Sequence, residues 1–227
     1  VLTFIAGALL ERQIVFVCSK LPLMETFYFF HDQGVLSASV LSVIPLIRPF
    51  QWQSLLMPIL PNDLLEFLDA PVPYIVGVKN KNNEVQSKLT NNIILIDANR
   101  NQVKSSTIPQ LPRQKELISS LRPYHETLVG ESYLGRRRPV YECSEMQIEA
   151  AKGFLSVLRS YLDSLCCNIR SHTITNVQSN DDKVSLLLKE SFVDSFPYCD
   201  RPFMKHLMDT QLFSVHTDLV LSFFQKE

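Results

Sequence analysis

Apolar residues recur along the first hundred positions in two rhythms, one helical and one nearly continuous. Leu2, Ile5, Ala6, Leu9 and Leu10 fall at helical spacing and predict a core-facing helix. Glu11-Arg12 breaks that run. Residues 13–18, Gln-Ile-Val-Phe-Val-Cys, then read as a strand covered on both faces. A helix joined tightly to a strand predicts a layered α/β sandwich. Residues 35–47 form a second apolar helix, interrupted near Pro45. An aromatic knot of Phe50 and Trp52 precedes a short extended segment over 53–57. Pro58 and Pro61 stop it, because proline donates no ladder hydrogen bond. Asp63 followed three residues later by Glu66 has the form of a capping box, which predicts a short helix over 64–68. Pro71 and Pro73 hold the next residues extended, and 74–78 reads as a buried strand. The polar stretch 79–91 is expected to be a solvated loop, 92–97 another apolar strand and 97–101 a turn.

From Pro109 the pattern turns helical. A short helix over 112–121 is expected to end at Pro123, with 124–143 irregular. Ser144 and Gln147 form a second capping box. The helix they open places Ile148, Ala151, Leu155, Leu158, Leu162 and Leu165 on one stripe. Residues 173–182 read as a polar loop, with Asp181-Asp182 leading into a third helix over 184–196 that Pro197 bounds. Asp200 is placed to cap a fourth, bent helix, with Pro202 in its first turn. Phe203, Leu207, Leu212, Phe213, Leu219 and Phe223 line the inner side of that helix. The expected fold class is α/β, a layered sandwich with a central, mostly parallel or mixed sheet flanked by helices, then an all-α subdomain. The predicted divisions are an α/β core over 1–108, a helix and irregular linker over 109–145, and a helical subdomain over 146–227.

The stretch 45–78, PLIRPFQWQSLLMPILPNDLLEFLDAPVPYIVGV, resembles the central signature of the DENN domain family. That pattern has an aromatic-Trp-Gln step, a Pro-x-Leu-Pro, a short helix, and an Ala-Pro-x-Pro-aromatic run closing on glycine. It is matched here by Pro49, Trp52, Pro58, Leu60-Pro61, Leu64-Leu65, Ala70-Pro71, Pro73-Tyr74, Ile75 and Gly77. The likeness extends upstream through Leu9-Leu10-Glu11-Arg12 and downstream to Phe203 and Thr210-Gln211-Leu212-Phe213, and is nearest to the plant branch of the family. The sequence departs from the pattern after Ser19-Lys20-Leu21. There residues 21–34, LPLMETFYFFHDQG, are interposed with four consecutive aromatics, Phe27 to Phe30. One reading is a surface insertion with its own hydrophobic hook. The other, favoured because so much exposed aromatic surface invites aggregation, is that the segment is not native coding sequence.

With 46% apolar residues in 227, the chain can bury one sizeable core. Its net charge of −1 shows no basic excess that would point to nucleic acid or an anionic membrane. Five cysteines without framework spacing suit a reducing compartment. The longest apolar run, near 35–47, falls short of the ~18 residues a transmembrane span requires. The chain has no initiating methionine and reads as beginning inside a longer protein.

Gly130 to Gly135 has the glycine spacing of a phosphate loop, but Arg136-Arg137 stands where Lys-Ser/Thr would grip phosphate and magnesium. His31, His125, His172, His206 and His216 are scattered, with no zinc spacing and no nucleophile elbow. Arg136-Arg137-Arg138 is the sole basic cluster, read as a solvated loop or as a contact to an acidic partner or phosphoinositide. Nothing points to covalent catalysis.

The resemblance implies a guanine-nucleotide exchange factor for a Rab-family small GTPase in vesicle traffic. It further implies no cofactor or metal, a cytoplasmic location peripheral on vesicle or endosomal membranes, and an N-terminal longin-like lobe as the second half of the GTPase surface. A non-catalytic scaffold in a small-GTPase complex is the alternative. Pro49, Trp52, Pro58, Pro61, Pro71, Pro73 and Gly77 are expected to be structural. The polar residues Asn62, Asp63, Glu66 and Asp69 are the candidate GTPase contacts.

Overall fold

The computed structural model describes residues 1–18, 29–79, 83–89, 92–134, 143–179 and 182–224. Helix α1 (Leu2–Leu9) enters strand β1 (Ile14–Val17), which lies at the centre of a five-stranded sheet. The other strands are β2 (Leu55–Met57), β3 (Tyr74–Val78), β4 (Ile94–Asp97) and β5 (Gln102–Lys104), in the order β2-β3-β1-β4-β5. The first four are parallel, with Ile14 opposite both Ile75 and Ile94; β5 is antiparallel to β4. The sheet is therefore mixed, and the α/β class read from the pattern holds.

Alternation along the strands divides the apolar side chains between two cores. Ile14, Phe16, Ile75 and Ile94 face a large core shared with α1, with α2 (Phe29–Leu41) and α3 (Val43–Leu46), and with the C-terminal helices. Val15, Val17, Tyr74, Val76 and Val78 face the opposite way. There the cover is Leu65 and Leu68 of a 3-10 helix (Asn62–Asp69) and Val85 of α4 (Asn83–Lys88), with Leu60 and Ile93.

Several elements differ from expectation. Helix α2 begins by Phe29 rather than at 35, so the end of the interposed stretch is helical; its residues 21–28 lie outside the described residues. The polar run 79–91 contains α4, which Val85 anchors in the second core. Helix α5 (Gln114–Leu134) runs straight through Pro123, so much of the expected irregular linker is helix. Packing explains the override. Leu117 and Leu121 are buried, and α5 lies antiparallel to α6 (Glu145–Cys166). Tyr161 Oη donates to the Pro112 carbonyl at 2.8 Å, and Arg113 Nη2 donates to Ser164 Oγ at 2.7 Å. Farther along, the Tyr124 ring sits where a Cβ on Gly153 would stand, 2.1 Å away. The loss of one helical hydrogen bond at Pro123 is offset by that interface.

The Ser144–Gln147 capping box forms as read, with both bonds at 3.1 Å. The buried stripe of α6 is Ala150, Phe154, Leu158, Leu162 and Leu165; Ile148 is exposed, so the face is rotated from the expected one. The expected loop and third helix are instead an antiparallel hairpin, β6 (Thr173–Ser179) with β7 (Asp182–Leu187). Asp182 opens a strand rather than leading to a cap. Only α7 (Lys189–Asp194) remains of the third helix, and the C-terminal region is helical apart from this hairpin. The fourth helix is two, α8 (Arg201–Met208) and α9 (Gln211–Phe224). Asp200 precedes α8 without a side-chain cap bond. Leu219 and Phe223 face outward, while Leu221 is buried.

Two stretches 200 residues apart meet at the start of α9. Glu11, with φ 49°, accepts at Oε2 from the Gln211 amide and at Oε1 from the Leu212 amide, both at 2.9 Å. Thr210 Oγ1 accepts from the Phe213 amide at 3.3 Å. These oxygens satisfy amides that a helix N-terminus leaves without intrahelical partners. Phe213 in turn packs near Phe50, and His216 lies edge-on to it with centroids 4.9 Å apart.

Candidate functional site

The four polar candidates all lie on or at the end of the 3-10 helix, and all are exposed. The capping box expected from Asp63 and Glu66 does not form. Pro61 occupies the cap position in an extended conformation, Asn62 is the first helical residue, and no side chain caps the helix. Asp63 is therefore inside the first turn, where a carboxylate still suits the helix dipole.

A 3-10 helix repeats every three residues, so side chains three apart share a line. Leu65 and Leu68 form the buried line. The backbone kinks at Leu64, so that line does not reach back to Asn62, which is exposed, and the kink also separates Asp63 from Glu66 and Leu64 from Phe67. The last pair is exposed, at 38% and 44%, and Val72 beyond the helix is 50% exposed. Sequence reasoning selected the polar residues here and passed over these three. No local sequence signal marks the kink at Leu64 that goes with the exposure of Leu64 and Phe67 beside buried Leu65 and Leu68.

The helix stands on a fixed base. Tyr74 Oη donates to the Leu68 carbonyl at 2.9 Å, and burial, with a contribution from Asp69, pushes its phenol up to about 12. Gln13 Nε2, at the start of the central strand, donates to the Ala70 carbonyl at 2.7 Å and to the Val72 carbonyl at 3.2 Å. Lys88 of α4 forms an ion pair with Asp69. Neither Gln13 nor Lys88 was among the expected site residues. Asp69 is thus engaged within the molecule. Asn62, Asp63 and Glu66 have no side-chain hydrogen bond or ion pair among the described residues.

The signature residues shape the backbone around this helix, and Pro61 and Pro71 among them are exposed. Trp52, half-buried, donates from Nε1 to the Leu55 carbonyl at 3.1 Å as β2 begins. Pro49 follows a cis peptide bond. A Cβ on Gly77 would lie 2.2 Å from the Pro58 carbonyl oxygen, and the Gly77 carbonyl accepts from the Leu60 amide at 2.7 Å. Only glycine lets the chain after β2 run that close to β3. Pro61 sets the helix entry, and Pro71 and Pro73 flank the segment that Gln13 holds.

Elsewhere the candidates disperse. Gly130 lies inside α5, which runs to Leu134; Gly135 and Arg136-Arg137-Arg138 lie outside the described residues. His206 is exposed on α8, and burial lowers the His216 imidazole against an opposing contribution from Asp163. Among the described residues no three His, Cys, Asp or Glu side chains gather as a metal site, and no helix is long and apolar enough to cross a membrane.

Residues 1–101 match the family model of the DENN (AEX-3) domain. DENN domain-containing protein 1B of Homo sapiens is 29% identical over 120 residues, covering 52% of this chain and 14% of that protein. DENN domain-containing protein 1A of Homo sapiens is 27% identical over 120 residues, 52% of this chain and 10% of that protein. Elicitor of plant defense protein 1 of Verticillium dahliae is 30% identical over 108 residues, 47% of this chain and 8% of that protein. The chain therefore spans a small part, at most 14%, of the length of these relatives.

Proposed function

Residues 1–101 belong to the DENN (AEX-3) domain family, and from that premise we propose that the chain is part of a guanine-nucleotide exchange factor for a Rab-family small GTPase. The observation that carries the reading is a DENN domain whose 3-10 helix turns an uncovered face of apolar and acidic side chains outward from a braced base. An exchange factor makes and breaks no covalent bond. It binds the nucleotide-free GTPase better than the nucleotide-bound one, and that difference in affinity speeds release. Such work needs a surface that keeps its shape, because a contact face that must first be ordered loses affinity to the ordering. Gln13, Tyr74 and Lys88 supply that rigidity here.

Asn62, Asp63 and Glu66 are the proposed polar contacts. Asp69 acts through its pairing with Lys88, holding the helix against α4. An N-terminal longin-like lobe completes the GTPase surface, and the protein works at the cytosolic face of vesicle or endosomal membranes. The test is binding of the full chain to Rab-family GTPases in nucleotide-free and GDP-loaded form. Tighter binding to the nucleotide-free form is expected. Equal affinity for both would refute exchange and favour a scaffold in a small-GTPase complex.

A further inference from the structure

The outward face of the 3-10 helix carries more than a set of polar contacts. Leu64, Phe67, Asp63 and Glu66 are all exposed, while Leu65 and Leu68 among them are turned into the second core. Scattered exposed apolar residues are ordinary, but Leu64 and Phe67 lie beside two carboxylates on a helix whose C-terminal end is held by Tyr74 at the Leu68 carbonyl and by Gln13 at the Ala70 carbonyl. The carboxylates beside them are unequal. Asp69 is neutralised by Lys88, whereas Asp63 and Glu66 meet no cation among the described residues.

We infer that this face recognises a segment of the small GTPase in which a large apolar or aromatic side chain is flanked by lysine or arginine. The apolar side chain covers Phe67 and Leu64, and the cation meets Asp63 and Glu66 at the rim. Charge complementarity selects this occupant: two uncompensated carboxylates repel an acidic segment and gain nothing from a neutral one. The apolar and the acidic side chains also divide the labour. Desolvated apolar contacts at the centre of an interface set how long a complex lasts, while rim charges set how fast and how selectively it forms. This inference deepens the exchange-factor reading and rests on it.

The experiment measures association and dissociation of the full chain on immobilised, nucleotide-free Rab-family GTPases at low and moderate salt. Phe67→Ala is expected to raise the dissociation rate about tenfold and leave association nearly unchanged. Asp63→Lys combined with Glu66→Lys is expected to slow association about tenfold at low salt. Asp63→Asn with Glu66→Asn should flatten the salt dependence of association shown by the unaltered chain. All three side chains replaced are exposed, so unchanged urea midpoints are expected and show that each variant folds. Binding by the unaltered chain that these variants leave untouched would overturn the inference while the exchange-factor reading stands. Failure of the protein completed with its N-terminal lobe to bind any member would overturn both.

Discussion

Replacing Glu11 with alanine removes the two oxygens that receive the first amides of α9, the contact joining the turn after α1 to the C-terminal helices. A hydrogen bond to a charged group contributes roughly 1.5–3 kcal/mol when shielded from water. The bond from Leu212 is partly buried and that from Gln211 is exposed, so water replaces much of the second. Thr210 still receives the Phe213 amide, so the helix keeps one cap. Together these set the loss at about 2 kcal/mol, within the range measured for helix caps. With a urea dependence of about 3 kcal/mol per molar for a chain of this size, the midpoint should fall by about 0.7 M. Two companions separate the causes. Glu11→Gln keeps one acceptor and should lose about half as much. Glu11→Gly loses the clamp but relieves the positive φ of 49°, and should be more stable than the alanine variant by about 1 kcal/mol. A midpoint shift below about 0.2 M for Glu11→Ala would refute the clamp as an energetic link between the two ends of the chain.

Two further outcomes follow from the same structure. Gly77→Ala drives a methyl group against the Pro58 carbonyl and Leu36, and should cost about 3 kcal/mol, read as a lowered melting temperature; a change under about 1 kcal/mol would contradict the close approach of these segments. Burial holds the His216 imidazole below its ordinary value of 6.5, so the folded state favours the neutral ring; stability from this group is present above pH 6.5 and lost as pH falls toward the depressed value. Urea midpoints should therefore decline between pH 7 and 5, and His216→Gln should lessen the decline; an equal decline in both proteins would remove His216 as its source.

The elements that were legible in the sequence had strong local signals. Strands β1, β3 and β4 are short apolar runs, and α6 is announced by a capping box that both partners complete. What escaped depended on distant packing or on a competing local rule. Pro123 argues for a helix end, and α5 continues because α6 lies along it. Thr173, Ile174 and Val177 carry a strand signal, but Asn, Gln, Ser and Asp around them read as loop. At the site, the polar residues stood out beside the signature prolines. The apolar half was hidden because a 3-10 turn with a kink at Leu64 leaves Leu64 and Phe67 exposed, and no local signal marks that kink. Glu11 lay within a recognised family stretch, yet its partner is 200 residues away and no spacing rule connects them.

The most direct test of the account is release of fluorescent GDP from a panel of Rab-family GTPases by the full protein, beside the Phe67→Ala variant. The account predicts faster release for at least one member, and a smaller acceleration by the variant. A folded protein that accelerates release from no member would contradict it.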